Sequence, residues 1–503
     1  MTEAERAQEE AQEEMAGIAR AILAGGHHVV TGVPGSGKST LARRLTAELG
    51  LRHGEEQVLL LAPTRRAATR LRDDLAREMN RTVGTVLVRT PASLAFSILR
   101  SRSALLGEAL PSLMTGADQD AALAEILAGH AEGEGRDPRW PSSVPPEALG
   151  LASFRHELRD LLMRSAEAGW DGYELIAQGE RHQRPEWVSA GRVLTEYDEI
   201  TRLGESTPDR GTRFDVASIL DEAAGALRAW DYELPQHPLP TWHTVIHDDY
   251  QDASLATARL LSVLADHGSR VVVLGDPDVA VQTFRGAVPA LVARASTGVP
   301  DRQAGEVETS AVRSAQRRRE PGEFAAQPHV LTGVWRGDAL LREVAERVSA
   351  VIPALGGGGR RRAKAVTAQG GSSLEVMVLR SVPEEARAIA RRLRTHRLRD
   401  GIEWSQMVVL VRASGELQAL RRGLRAGGVP VATAQGEVPL REEPAVRPLL
   451  RALALAAAQV SAGVGEEDGT VSSGAESLLE RGFDPQDVVD LLLSSLGGLD
   501  AVG

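Results

Sequence analysis

The sequence predicts an α/β protein with parallel sheets flanked by helices, and three features of its 503 residues support this fold class. Short apolar runs of strand length alternate with amphipathic helical segments. One strand enters a glycine-rich loop that is followed by a helix, at HHVVTGVPGSGKSTLARRLTAEL. A long, mostly helical stretch interrupts the alternating series between residues 101 and 240. Strand–helix alternation builds parallel sheets, because each helix returns the chain to the same end of the sheet.

The first series of strand–helix units occupies residues 1–100 and resumes over residues 241–296. After an opening helix at residues 4–23, HHVVTG, QVLLLAP and TVLVRT each read as a strand followed by a helix. HTVIHDD with SLATARLLSVLAD, and then RVVVLGD, continue the pattern after the insertion. We expect these two parts to form one domain, and residues 101–240 to form a helical subdomain inserted into it.

A second series follows a charged segment, residues 297–328, that we interpret as a linker. HVLTGVWRG, LEVMVLRS and MVVLVRA each read as a strand with a helix after it, and GGGGRRRAK interrupts the series near Gly356. After the polar stretch GVGEEDGTVSSGAES, one more helical segment precedes Gly503. We therefore predict an incomplete second α/β domain over residues 329–503.

Composition excludes several classes of function. The net charge is -11, so a surface that is cationic throughout is excluded and any nucleic-acid contact must be a local groove. The absence of cysteine excludes disulfides, thiolate metal sites and cysteine nucleophiles. The acidic N-terminus lacks the order of a secretory signal, and the most apolar stretch, residues 449–464, is too short to span a bilayer. The sequence predicts a cytoplasmic protein without a membrane segment.

The glycine-rich loop fits the phosphate-binding pattern GxxxxGK[ST] in full. Glycines let successive backbone N–H groups point at phosphate oxygens, Lys38 neutralises the outer phosphates, and Ser39 ligates Mg²⁺. A chance glycine-rich turn is the alternative, and it is disfavoured because Lys38 and Lys364 are the only lysines in the chain. The predicted nucleotide-binding residues of the loop are Gly32, Val33, Pro34, Gly35, Ser36, Gly37, Lys38, Ser39 and Thr40.

A pair of acids follows the strand-like run TVIH. Asp248 is placed to hold Mg²⁺ together with Ser39, and Asp249 is placed to act as a base toward water. Acids after a strand also serve as helix caps, which is the alternative reading. The phosphate loop upstream makes the metal-binding reading the better one.

Several further motifs resemble those of the UvrD/Rep family of superfamily 1 DNA helicases. DDYQD at residues 248–252 resembles motif II, and GDPDVAVQTFRGA at 275–287 resembles motif III. APTRRAA at 62–68, TPAS at 90–93 and VWRG at 334–337 resemble motifs Ia, Ib and IV. The resemblance covers residues 20–460 and implies a P-loop NTPase of the RecA-like type, with motor domain 1A, helical insertion 1B and a second motor domain 2A. Within the family, the chain looks most like the AdnA-type subunit of the actinobacterial AdnAB helicase–nuclease.

The resemblance also implies roles for single residues. Trp335 falls where an aromatic ring stacks on adenine, and a partly buried core aromatic is its alternative reading. Phe284 falls where a ring stacks on a DNA base. The implied catalytic residues are Lys38, Asp248, Asp249, Arg285 and Arg336. The implied contacts to single-stranded DNA are Thr64, Arg66, Ser93 and Phe284.

Departures from the family pattern bear on function as much as the matching motifs do. Asp249 is one methylene shorter than the usual glutamate of motif II, and Val279 replaces the glutamine of motif III. Pro63, Ala92 and Gln282 each replace a ring. Gln8 and Gln12 are both candidates for the adenine-reading glutamine, and the sequence leaves that choice open. We find no motif V or VI after residue 440, so we expect the chain to end before those motifs.

The resemblance implies an ATP-dependent 3′-to-5′ DNA helicase subunit acting in DNA repair and recombination. It would use ATP and Mg²⁺, act on single-stranded DNA and duplex DNA ends, and work with a second helicase–nuclease subunit. The alternative is an ATP-binding regulatory subunit that hydrolyses ATP weakly or not at all, which Val279 and Asp249 favour. A small-molecule P-loop kinase fails to explain the helical insertion.

Overall fold

A computed structural model gives the architecture of two compact units, Met1–Leu374 and Glu375–Gly503. The described residues are 3–80, 87–114, 116–204, 212–215, 218–298, 320–355, 357–366, 371–432, 449–450 and 452–453. Much of the predicted linker and the segment after residue 453 lie outside these ranges.

A parallel sheet of six strands forms the centre of the first unit and confirms the predicted α/β fold class. Its strands are β1 His28–Thr31, β2 Val58–Leu61, β3 Val88–Arg89, β6 Thr244–His247, β7 Arg270–Gly275 and β8 Gln327–Val330. The strand order is β3-β2-β6-β7-β1-β8, and every neighbouring pair is parallel. The inner strands are short runs of Val, Leu and Ile buried on both faces, which is the composition that a covered parallel sheet requires.

Strand β8 differs from the sequence prediction, in which HVLTG forms the first strand of the second α/β domain. It pairs with β1 at the edge of the first sheet, where Gln327 N donates to His27 O and Leu331 N donates to Thr31 O. Pro328 has no N–H to donate, and an edge strand tolerates that loss. The compact units divide after Leu374, later in the chain than the predicted start of the second domain at residue 329.

Helices cover both faces of the sheet. A cluster that includes Leu41, Leu45 and Leu75 fills one face, and a second cluster around Trp230, Tyr250 and Leu261 fills the other. The helices that follow or precede these strands are α1 Glu3–Ala24, α2 Lys38–His53, α3 Arg65–Met79, α4 Pro91–Leu106, α9 Ile219–Glu233, α10 Leu255–Asp266 and α11 Leu291–Arg294.

The segment between α4 and α9 is mostly helical, as the sequence predicts, and it has its own apolar cluster around Leu123, Leu158 and Val193. Helices α7 and α8 pack closely, since a Cβ on Gly191 would lie 2.7 Å from Gly172 O. The helices are α5 Gly116–Glu132, α6 Ala152–Ala168, α7 Gly172–Arg181 and α8 Pro185–Gly204, with the short parallel strands β4 Ser112–Leu113 and β5 Arg213–Phe214.

After the large sheet, the first unit ends in a smaller structure. Strand β9 Gly333–Val334 pairs in parallel with β10 Lys364–Ala365, and helix α12 Ala339–Ala350 lies between them in the chain. Asp338 caps α12, because its Oδ1 accepts from Leu341 N at 3.1 Å.

Among the described residues of the second unit, the helices α13 Val382–Arg399 and α14 Ser414–Ala426 pack through a small apolar cluster. Their contact is close, since a Cβ on Gly423 would lie 2.5 Å from Ala386 Cβ. LEVMVLRS and MVVLVRA were predicted to be strands, but the described residues of this unit include none. A strand needs a neighbour for its backbone groups, and the next predicted segments lie largely outside the described residues. Among all helices described, none is long and apolar enough to cross a membrane.

Candidate nucleotide site and nucleic-acid face

The predicted site residues follow the carboxyl ends of the parallel strands. The phosphate loop follows β1, the acid pair follows β6, and the GDPD segment includes the end of β7. The carboxyl ends of parallel strands lie at one edge of the sheet, so the fold brings these separate segments together. Asp248 N donates to Leu61 O at 2.9 Å, which fixes the acid pair against the end of β2.

The phosphate loop runs from Gly32 into the first turn of α2. Gly35 and Gly37 have φ angles of 83° and 98°, a conformation that side chains disfavour. A Cβ on Gly37 would also lie 2.5 Å from Met15 Cε, so glycine is needed there for space as well as for conformation. Lys38 Nζ donates to Gly32 O at 2.6 Å and to Val33 O at 3.3 Å, so the ammonium lies inside the curve of the loop.

Acidic side chains surround the buried end of Lys38. Burial lowers the pKa of the Lys38 amine, although the nearby carboxylates of Asp276 and Asp248 act in the opposite direction. Burial and the charge of Asp249 raise the pKa of Asp248 to about 6, although a hydrogen bond with Ser39 lowers it. Within the described residues, Asp248 Oδ1 is buried without a hydrogen-bond partner. A buried carboxylate oxygen beside a serine hydroxyl has the donor chemistry that Mg²⁺ requires, so these residues fit the ion.

Asp249 has a left-handed backbone, with φ 51° and ψ 44°. Aspartate tolerates this region better than most residues. Gln251 Nε2 donates to Asp249 Oδ1 at 3.2 Å, and Gln251 Oε1 accepts from Asp276 N at 3.0 Å. The buried Gln251 therefore links the acid pair to the loop after β7, a role that the sequence analysis did not assign although Gln251 belongs to the DDYQD run.

A cavity of about 720 Å³ opens beside the phosphate loop. It brings Trp335 and Arg336 together with the loop, as the resemblance implies, and it includes Val279. Of the two candidate glutamines, Gln12 lines the cavity. The lining residues are Gln12, Met15, Pro34, Gly35, Gly37, Lys38, Ser39, Thr40, Arg44, Asp249, Val279, Trp335 and Arg336.

Hydrogen bonds hold the Trp335 segment and helix α1 in place around this cavity. Trp335 N donates to Gly35 O at 2.9 Å, so the tryptophan segment lies against the phosphate loop. Glu14 accepts from Thr332 N and from Thr332 Oγ1, each at 2.9 Å, and these bonds fix α1 against the same segment. Trp335 is half-buried and lines the cavity, and its role as a stacking ring stays a prediction. The sequence analysis did not identify Arg44 and Met15 as cavity residues, because both lie in helical segments outside the recognised motifs.

The residues implied to contact DNA lie apart from the cavity. Thr64 caps α3, and its hydroxyl accepts from Ala67 N at 3.1 Å, while Ser93 lies in the first turn of α4. Arg66 lies in the first turn of α3. These helix starts follow β2 and β3, at the same edge of the sheet as the phosphate loop.

Phe284 is 71 % exposed and lies in the short helical turn Thr283–Arg285. The Arg285 guanidinium carbon is 5.3 Å from the centroid of its ring. Asp252 Oδ1 holds the preceding loop by accepting from Val281 N at 2.8 Å and Gln282 N at 3.0 Å. Arg285 does not line the nucleotide cavity, so its catalytic role stays a prediction.

Comparison with protein families gives one match, over the part of the chain that contains the phosphate loop, the acid pair and Phe284. Residues 13–300, more than half of the chain, match the profile of the UvrD/REP helicase N-terminal domain. A search of curated proteins found no match.

Proposed function

The chain belongs to the UvrD/REP helicase family, and on that basis we propose that it is an ATP-dependent DNA helicase subunit that moves 3′ to 5′ on single-stranded DNA in repair and recombination. The observation that carries this proposal is the single cavity shared by Lys38, Asp249, Trp335 and Arg336. These residues come from distant parts of the chain, and together they offer a cation, a base, a ring and a second cation to one ligand.

The cavity chemistry supports ATP as that ligand. The loop N–H groups and Lys38 would bind the phosphates, and Trp335 would stack on adenine with Gln12 at its edge. Arg336 is exposed and would bring its guanidinium to the outer phosphate. Ser39 and Asp248 would hold Mg²⁺, which when bound offsets phosphate charge. Asp249 would accept the proton of the attacking water.

The helix starts at the carboxyl edge of the sheet support the DNA role. Thr64, Arg66 and Ser93 would contact the strand backbone, and the exposed ring of Phe284 would stack on a base. In this assignment residues 1–100 and 241–296 form motor domain 1A and residues 101–240 form subdomain 1B. The linker lies within residues 297–326, strand β8 completes the sheet of domain 1A, and domain 2A follows β8. We place the protein in the cytoplasm, in an AdnA-type role at duplex ends beside a second helicase–nuclease subunit.

A regulatory subunit that binds ATP and hydrolyses it weakly or not at all is the second candidate. Val279 lines the cavity and has no polar group with which to sense a phosphate. Asp249 is short for a base. Both observations favour this candidate, whereas Arg336 at the cavity favours the motor.

Steady-state ATP turnover, with and without saturating single-stranded DNA, tests the proposal. Turnover that DNA stimulates supports the motor. ATP binding with background turnover in the reconstituted assembly supports the regulatory subunit. Absence of ATP binding would contradict both.

A further inference from the structure

Two adjacent arginines, one buried and one half-buried, lie in a segment that joins two parts of the nucleotide cavity wall. The pair, Arg360 and Arg361, comes from the GGGGRRRAK segment, which the helicase assignment leaves without a role. Val279 lines one part of the wall and the Trp335–Arg336 segment lines another. The short chain segment that contains the pair, residues 360–366, contacts the structures that immediately precede both parts: the arginines contact one, and the backbone that follows them pairs with the other.

The first contact is with the loop that ends in Val279. Arg360 Nε donates to Asp276 Oδ1 at 2.8 Å, and its Nη2 donates to Asp278 Oδ1 at 2.7 Å. Arg361 adds a two-pronged contact to Asp278, with Nε to Oδ2 at 2.7 Å and Nη2 to Oδ1 at 2.8 Å. The Arg360 side chain is 1 % exposed, so these bonds are shielded from water.

The same loop is further fixed by its own backbone. Asp276 Oδ1 also accepts from Asp278 N at 3.1 Å, and Asp276 O accepts from Val279 N at 3.1 Å. The position of Val279 in the cavity therefore follows from the position of the two aspartates, which the arginines hold.

The second contact is with the segment that leads to Trp335. Strand β10 begins two residues after Arg362 and pairs with β9, which ends immediately before Trp335. Lys364 N donates to Thr332 O at 2.9 Å, and Val366 N donates to Val334 O at 3.0 Å. The chain from Arg360 to Val366 thus connects the two parts of the cavity wall by ion pairs at one end and by strand pairing at the other.

Charge explains why arginines are needed here. Asp276 is buried and acts on Lys38 together with Asp248 and Asp249, so negative groups cluster at this edge of the sheet. Buried like charges repel one another unless cations offset them. Burial raises the pKa of Asp278, but the bond from Arg361 and the charge of Arg360 outweigh it and lower the pKa overall.

We propose that Arg360 and Arg361 are positioning residues that set the spacing between Val279 and the Trp335–Arg336 segment, and thereby the affinity of the cavity for nucleotide. The proposal rests on the proposed function, since it takes the ligand to be a nucleotide. Val279 cannot form a hydrogen bond through its side chain, so its backbone placement is the property that the arginine pair controls. Neither arginine touches the ligand.

Arg361→Met is the test variant, because Arg361 is less buried than Arg360 and its loss leaves the Arg360 bonds to both aspartates in place. We expect the Kd for a fluorescent ATP analogue to rise about fivefold, a typical effect of changing a residue that couples two segments. Arg361→Lys keeps the charge but loses the planar fork, and its Kd should fall between those of Arg361→Met and the wild type. Arg362→Met, at an exposed neighbour in the same segment, is the matched control and should bind like the wild type.

Thermal unfolding without nucleotide separates positioning from stability. The double variant Asp278→Asn with Arg361→Met removes an acid and a cation together. Its unfolding midpoint should therefore recover part of any loss seen in Arg361→Met, while its Kd for the ATP analogue should stay high. An Arg361→Met variant with wild-type affinity would overturn the proposal, as would a double variant that regains affinity in step with its midpoint. Failure of the wild-type chain to bind the analogue would instead contradict the proposed function.

Discussion

Gly286, at the end of the turn that presents Phe284, lies directly against the carboxylate of Glu167 in helix α6. A Cβ at Gly286 would overlap Glu167 Oε2, and the glycine has a φ of 78°. Arg259 fixes the same end of α6, since its Nη2 donates to Glu167 O at 3.2 Å and its Nη1 donates to Ala168 O at 3.2 Å. The helical insertion therefore packs against the loop that is implied to contact DNA.

Gly286→Ala should destabilise the protein more than Gly268→Ala does. Both glycines have left-handed backbones, with Gly268 at φ 91°, so each change costs about 1–2 kcal/mol from conformation. A Cβ at Gly268 meets nothing within 4 Å, whereas one at Gly286 must displace Glu167. Overlap of this kind adds about 1–3 kcal/mol. Thermal midpoints of the two variants decide the matter, and equal losses would contradict the close contact.

Glu167 should make stability depend on pH. Burial raises the pKa of Glu167 from 4.5 to about 7, although the charges of Arg164 and Arg285 act against this and that of Asp215 adds to it. The folded state then holds a proton that the unfolded state releases, so stability falls as the pH rises from about 4.5 to about 7.

Glu167→Gln removes this titration. Between pH 5 and pH 8, the midpoint of the variant should therefore fall less than that of the wild type. Glu157→Gln, at an exposed position of the same helix, serves as the control and should follow the wild type. Parallel curves for the wild type and Glu167→Gln would show that Glu167 does not titrate in this range.

Lys38→Ala should abolish most binding of a fluorescent ATP analogue and leave the fold intact. The loop conformation depends on Gly35 and Gly37 rather than on the lysine, and the ammonium supplies the charge that faces phosphate. Lys364→Ala changes the only other lysine, which is exposed, and should bind like the wild type. Wild-type affinity in Lys38→Ala would refute the nucleotide site.

Asp249→Glu should raise ATP turnover severalfold, which corresponds to about 1 kcal/mol of barrier. The longer side chain reaches further toward the attacking water. The gain stays limited because Val279, which has no polar group, still lines the cavity. The assay is steady-state turnover with saturating single-stranded DNA, in the proposed assembly with the partner's ATP site inactivated. Asp249→Asn, which cannot accept the proton, is the control and should lose turnover.

No gain in Asp249→Glu would favour the regulatory subunit. A loss would mean that the pocket is adapted to aspartate, in keeping with its left-handed backbone and its bond from Gln251.

Phe284→Ala should weaken single-strand binding by about 1–3 kcal/mol, because the exposed ring loses its stacking contact with a base. Tyr232→Ala removes another exposed ring, 92 % accessible at the end of α9, and should leave binding unchanged. Fluorescence anisotropy with a labelled oligonucleotide measures both. Affinity should also fall steeply with added salt, since phosphate neutralisation supplies most of it, and equal affinities for the two variants would remove Phe284 from the DNA site.

The sequence by itself determined the features of this protein that depend on contiguous residues. The phosphate loop needs a strand, glycines, a lysine and a serine in order, and local periodicity already predicts the strand and helix around Lys38. The acids after β6 follow from the same kind of local pattern, whereas Phe284 was identified through the family resemblance.

Tertiary structure decided everything that depends on which distant segments meet. Gln8 and Gln12 are equivalent in sequence, and only the packing of α1 against Thr332 places Gln12 in the cavity. Local sequence predicts the strand in HVLTG, but its partner β1 lies about 300 residues away. The sequence alone therefore did not predict its place at the edge of the first sheet. Arg360 meets Asp276 across 84 positions for the same reason. Local patterns encode backbone periodicity, whereas these contacts depend on how whole elements pack together.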